Sequence, residues 1–292
     1  MSGSQRYGRR CWAAIAAGSL VMVLAACGSQ AKTVEVKKKA SPSPRKVILA
    51  SIRATTAAKS ARVSMTISAG SGSKTLDITS DGVADFASGD GVLTVHATGV
   101  GKQFDGIEGR LVGGALYVKM PESLRTVFGD KWLKMPAAAP GGLLPGFDQS
   151  DPSKFLAYLE TVSSGVTKVG SDTIRGVETT HYEATLDLAK AVDRANVPAS
   201  LRDDLGKIVH KNGASLTIPA DVWVDNDGLA RRIQLKLDLA KLAGPDGGTD
   251  VPVLTMSMDL YDFGVPVHVE APPAAETVPF PVGPSGTIGT GS

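Results

Sequence analysis

From Leu216 to Leu239, apolar and polar residues alternate in two arms around Asp225-Asn226-Asp227-Gly228. Leu216, Ile218, Ala220, Val222 and Val224 share one face of the first arm. Ile233, Leu235, Leu237 and Leu239 share one face of the second, with Arg232, Gln234, Lys236 and Asp238 opposite. A period of two marks a strand with one apolar side. Asp, Asn and Gly tolerate the positive φ of a tight turn, so the stretch predicts one long hairpin. The same alternation recurs in Val63, Met65 and Ile67, and again after the turn Gly70-Ser71-Gly72-Ser73 in Leu76 and Ile78. It predicts further strands over Gly91 to Thr98, Ala115 to Lys119, Val166 to Val169 and Thr180 to Leu188, with a short extended piece at Trp132 to Met135. A last long strand carries Leu254, Met256, Met258 and Leu260 on one face.

Helical signals are fewer. Ser43-Pro44 offers an N-cap and an N1 proline for a helix over about Val47 to Lys59, with Ile48 and Ile52 one turn apart. Pro121 to Phe128 predicts a short helix. Asp151-Pro152 caps a longer one, with Phe155, Leu156, Leu159 and Val162 on one side and Gly165 as its stop. Another covers about Ala199 to Lys211, with Leu201, Leu205 and Ile208. Strands outnumber helices and short turns join most neighbours, which predicts an α+β fold with an antiparallel sheet. The apolar faces outnumber what three or four short helices would fill. A sheet curled around the surplus makes a cavity, lined by Val63, Met65, Ile67, Leu186, Leu235, Leu237, Met256 and Met258, with unbranched methionines as adaptable lining. A fully packed core satisfies the same periodicity.

Between Pro136 and Ser150 glycine and proline rule out regular structure, yet Leu143, Leu144 and Phe147 supply apolar surface. The segment is expected to be a mobile lip at the cavity mouth, or else a loop pinned to the core by these three residues. Trp223 falls on the face opposite Val222 and Val224 and is expected to pack under a helix.

Composition narrows the picture. At 292 residues, with 42% hydrophobic and 21% charged residues, the chain is globular. Its 5% aromatic content gives little stacking surface for nucleic acid. The formal charge of +2 counts Arg6, Arg9 and Arg10, which lie in a segment read as cleaved. Without them Lys+Arg falls from 31 to 28 against 29 acidic residues, which leaves no general pull on polyanions.

The beginning of the chain is an address. A basic n-region ending Gly8-Arg9-Arg10 precedes an apolar run from Cys11 to Ala26 that ends in small residues, as a secretory signal does. Leu24-Ala25-Ala26-Cys27 resembles the bacterial lipobox, in which the Cys is acylated and the signal is cut just ahead of it. The Arg9-Arg10 pair fits an ordinary n-region better than a twin-arginine motif. With Cys11 removed and Cys27 acylated, the mature domain has no disulfide and no thiol ligand. The expected organisation is a signal over 1–26, a flexible tether over 27–45, a domain over 46–270 and a disordered Pro/Gly/Thr tail over 271–292. Lys37, Lys38 and Lys39, with Arg45 and Lys46, either rest on anionic headgroups at about 1 kcal/mol per charge or stay solvated.

Motifs for chemistry are missing. His96, His181, His210 and His268 have no metal-ligand spacing. Ser71 lacks the frame of a nucleophile elbow. The Asp225 to Gly228 turn lacks the acidic ligand that closes a calcium loop. The reading is of a non-enzyme without metal or cofactor.

Three stretches taken in order carry a resemblance. The first is Leu116-Tyr117-Val118-Lys119-Met120-Pro121 with Trp132-Leu133-Lys134. The second is Gly176 to Leu188 with His181-Tyr182, then Val222-Trp223-Val224-Asp225 and Arg231-Arg232. The third is Tyr261-Asp262-Phe263-Gly264-Val265-Pro266-Val267 running to Pro272. With the lipobox, these make the chain resemble the actinobacterial LppX/LprAFG cell-envelope lipoproteins, whose fold is similar to that of the carriers LolA and LolB. The resemblance implies a strongly curved antiparallel half-barrel wrapped over helices, with a hydrophobic cavity for acyl chains. It implies binding of a lipid or lipoglycan and its carriage across the envelope, on the extracytoplasmic side of a membrane held through acylated Cys27. Envelope transporters or other proteins are the partners such a carrier would meet. The alternative is a sensor or adaptor lipoprotein that binds a protein with the same fold, as RseB-like regulators do.

Overall fold

The structure, a computed structural model, describes residues 41–71, 74–98, 105–136, 165–187, 217–238 and 253–280. All but Ser41 belong to one compact unit, Pro42–Ser292. Cys27, the lip residues Leu143, Leu144 and Phe147, and the two helices expected after Asp151 and from Ala199 lie outside the described residues.

The described chain starts with helix α1, Pro44–Ala57. Pro44 takes the first turn, where its missing N–H costs nothing, and Ser43 sits extended at the cap without a side-chain bond. Helix α1 therefore takes in residues 44–45, which were expected to belong to the tether. Ile48, Ser51, Ile52 and Thr55 are buried at the i, i+3, i+4, i+7 spacing of one helical face. Twelve strands follow: β1 Ser60–Ser71, β2 Lys74–Asp85, β3 Gly91–Thr98, β4 Ile107–Val112, β5 Ala115–Lys119, β6 Trp132–Pro136, β7 Thr167–Ile174, β8 Val177–Asp187, β9 Thr217–Asp225, β10 Ala230–Asp238, β11 Val253–Tyr261 and β12 Thr277–Pro279. Between β5 and β6 the helical turn Glu122–Leu124 runs into α2, Arg125–Phe128, and neither buries a residue.

These strands form one sheet in the order β12-β6-β5-β4-β3-β2-β1-β11-β10-β9-β8-β7. Its two ends, β12 and β7, are not paired with each other, so the sheet is not a closed barrel. Every pairing is antiparallel except that of β12 with β6, which is parallel. That exception lies within 271–280, part of the stretch expected as a disordered tail; 281–292 lie outside the described residues. The chain beyond residue 271 turns through Ala274–Glu276 and lays Thr277, Val278 and Pro279 beside Trp132, Leu133 and Lys134. Pro279 lacks an N–H, which suits a sheet margin.

A single register row shows what the alternation builds. Tyr182, Val222, Ile233, Met258, Met65, Ser80, Val95 and Ile107 face one another across eight neighbouring strands. On β8 to β11 and β1 this inner face is closed: Ile233, Met256 and Met258 have no exposure at all. Helix α1 packs on β7, β9 and β10 here, and Ile48 and Ile52 join the same apolar cluster. Glycines permit the close approach of β2 and β3. A Cβ on Gly82 would lie 2.1 Å from Val92 O, and one on Gly91 2.7 Å from Val83 O, so the two backbones approach closer than any side chain allows.

Candidate functional site: the inner face of the sheet

Each of the eight residues expected to line a cavity (Val63, Met65, Ile67, Leu186, Leu235, Leu237, Met256 and Met258) is buried in one hydrophobic cluster. Their pairings explain this: Met65 opposes Met258, Ile67 opposes Met256, and Met256 opposes Leu235. They form the closed part of the inner face. Its other part, on β2 to β5, differs. Ile78, Leu93, Val95, Ile107, Leu116 and Val118 lie on the same face and stay only half-buried. None of these residues was expected from the sequence to line the cavity. Strand β4 was not expected either, although Gly113-Gly114, both at positive φ, is the turn signal that marks its hairpin with β5.

Between β1 and β4 lies a recess of about 30 Å³, lined among others by Met65, Ser80, Gly82, Gly91, Leu93 and Leu111. It arises because the inner-face residues of β2 shrink along the strand, from Leu76 and Ile78 to Ser80, Gly82 and Ala84. Gly91 and Gly109 continue the small surface on β3 and β4, and Leu93 leans over Gly109 at 3.2 Å from where a Cβ would be. The recess has room for about two waters, not for an acyl chain.

The outer face is polar and fully engaged around one carboxylate. Asp259, 7% exposed, accepts two bonds from Arg232, Nε at 2.6 Å and Nη2 at 2.8 Å. It takes a third from Arg175 Nε at 3.1 Å. Those hydrogen bonds raise the Arg232 guanidinium above its ordinary pKa, against the opposing effect of partial burial. The Arg175 guanidinium lies 4.3 Å from the centre of the Tyr261 ring. Trp223 is buried, and its ring and hydrogen-bond partners among the described residues are side chains of the sheet. It stacks on His181 at 4.3 Å with the rings 3° apart, and its Nε1 donates to Asp172 at 3.2 Å. His181 Nε2 lies 2.8 Å from Asp221, which also meets Lys236 Nζ at 3.4 Å. These groups partner one another and pin β7 to β11 in register.

Among the described residues no group of three or more His, Cys, Asp or Glu could hold a metal ion. Among them, too, no helix is long and apolar enough to cross a membrane.

No family model matches the chain. A Streptomyces coelicolor protein described as a lipoprotein is 26% identical over 184 residues, which cover 60% of this chain and 51% of that one. The chain thus spans about half the length of this relative. Among solved structures, the Mycobacterium tuberculosis lipoprotein LppX has 17% identity and a TM-score of 0.46, over 78% of this chain and 99% of that one. LprF from Mycobacterium bovis has 19% identity and a TM-score of 0.47, over 80% of this chain and 98% of that one. LppX and LprF are lipoproteins of the group that the sequence resembles. At these identities and scores neither brings a ligand or a residue role to this chain.

Proposed function

We propose that this chain is an LppX/LprAFG-like lipoprotein that binds the acyl chains of a lipid or lipoglycan and carries them across the cell envelope. Acylated Cys27 would hold it on the extracytoplasmic face of the membrane. The observation that carries the reading is the unequal inner face. Its β8 to β11 part is closed, whereas Ile78, Leu93, Val95, Ile107 and Val118 on β2 to β5 keep apolar surface partly open. Covering that surface with an acyl chain contributes about 0.8 kcal/mol per buried methylene. No bond needs to be made or broken, and the half-buried side chains of β2 to β5 are the surface against which the chain lies. Carriage then depends on holding a lipid tightly enough to leave a donor membrane and loosely enough to give it up.

Transfer of a fluorescent phospholipid between donor and acceptor vesicles tests this. The full chain should speed transfer above the spontaneous rate, and Leu93→Asp should remove most of the gain. Arg175→Ala, a change on the outer face, should leave the rate as it was. No acceleration by the wild type would contradict the reading.

A further inference from the structure

On the inner face Ser80 interrupts an apolar row. Met65 and Val95 oppose it on the neighbouring strands, and Ile78 and Gly82 flank it on its own. Its side chain lines the recess and is half-buried. It has no hydrogen bond to any described side chain or backbone group. A serine at such a position is not explained by packing, since alanine or valine would suit the alternation better. Nor is it needed for strand pairing, which the backbone of β2 satisfies through β1 and β3. Half-buried hydroxyls in apolar surroundings earn stabilisation only when they find a partner.

The recess also has the wrong size for an acyl chain and the right size for a small polar group. At about 30 Å³ it holds a carbonyl and little more. The small residues that line it, Gly82, Ala84 and Gly91, border the half-exposed Leu93, Val95 and Ile107, along which a hydrocarbon tail would continue. No charged side chain lines it. An apolar pocket with one placed polar group is the usual form of a site that fixes a ligand's orientation.

We infer that Ser80 is the polar contact of the acyl ligand: its hydroxyl donates to the acyl carbonyl oxygen seated in the recess, while the tail runs over β3 and β4. This rests on the acyl-binding reading above and adds to it the end of the ligand that is held and the residue that holds it. The carbonyl belongs either to an ester or to a free acid, and both carry the same acceptor.

The test titrates the full chain with methyl palmitate, palmitic acid and hexadecane, counting bound probe by mass spectrometry. Ser80→Ala should weaken methyl palmitate or palmitic acid roughly 3- to 10-fold, the worth of one neutral hydrogen bond, and leave hexadecane unchanged. Ser80→Thr keeps the hydroxyl and should keep the affinity. A loss confined to the ester identifies esterified lipid as the source, and a loss confined to the acid identifies free fatty acid. An equal change for all three probes, or none for any, would overturn the assignment, the latter marking the hydroxyl as a water site. Wild type that binds hexadecane and the carbonyl probes alike, indifferent to Ser80→Ala, overturns this inference and leaves acyl binding standing. Wild type that binds none of them overturns both.

Discussion

Two hydroxyls one turn apart on α1 should answer the same kind of substitution with opposite signs. Ser51 is 1% exposed and Thr55 not at all. Thr55 Oγ1 accepts the Ala230 N–H at 2.9 Å, which ties the helix to the start of β10. Ser51 Oγ is buried without a partner. Burying an unpaired hydroxyl costs about 1–3 kcal/mol, and Ser51→Ala removes that cost. Alanine adds a few tenths of a kcal/mol through its helix propensity, and the lost volume is one oxygen. For a unit of this size each kcal/mol moves the melting temperature by about 2–4 °C, so Ser51→Ala should melt about 3–13 °C higher. Thr55→Val keeps the shape but strands the Ala230 N–H, and should cost about 1–3 kcal/mol. Thermal melts and urea titrations of both variants against wild type give the two numbers, and an unchanged m-value confirms that the comparison is between like states. An unchanged or lower melting temperature for Ser51→Ala would refute the reasoning, because the hydroxyl would then be bonded in the folded protein.

Other consequences follow from the same structure. Asp259→Ala should destabilise by about 2–3 kcal/mol in urea, less than a wholly buried pair, since Arg232 and Arg175 both reach solvent; a loss near zero would show that the outer cluster is ornamental to stability. Gly82→Ala should leave the chain largely unfolded by circular dichroism, because its Cβ meets backbone at 2.1 Å. Gly109→Ala meets only side chains, Leu93 at 3.2 Å and Leu116 at 3.8 Å, and should melt within about 2 °C of wild type; similar behaviour of the two would contradict the close backbone approach assigned to Gly82. Cys27→Ala should release the protein from membranes on fractionation, and equal retention of a processed mutant would end the lipid-anchor proposal.

Much of the sheet was legible because alternation is a local signal. The Leu216 to Leu239 hairpin, the Gly91 to Thr98 strand and the Ala115 to Lys119 strand stand where the period of two puts them. Strand β4 escaped because its inner-face residues, Ile107, Gly109 and Leu111, include a glycine that breaks the apolar run. Strand β12 escaped because three residues carry no period at all, and its partner β6 lies about 140 positions earlier in the chain. The buried cluster was predictable from apolar faces, whereas the half-open surface on β2 to β5 was not. What leaves it open is the run of small side chains at Ser80, Gly82, Ala84, Gly91 and Gly109, which matters only once the strands are in register. The partners of Trp223 were not legible for a related reason. Its stacking partner His181 comes from β8, and no pattern within β9 names it.

Acyl binding on the inner face is tested most directly by native mass spectrometry of the full chain purified from its own host. The protein should carry extra mass that organic extraction removes, and the extract should contain an acyl lipid. The Leu93→Asp variant, purified in parallel, should have lost most of that mass while keeping the wild-type fold by circular dichroism. A wild-type chain at its bare lipoprotein mass, under conditions that keep a known lipid carrier loaded, would contradict the proposed function.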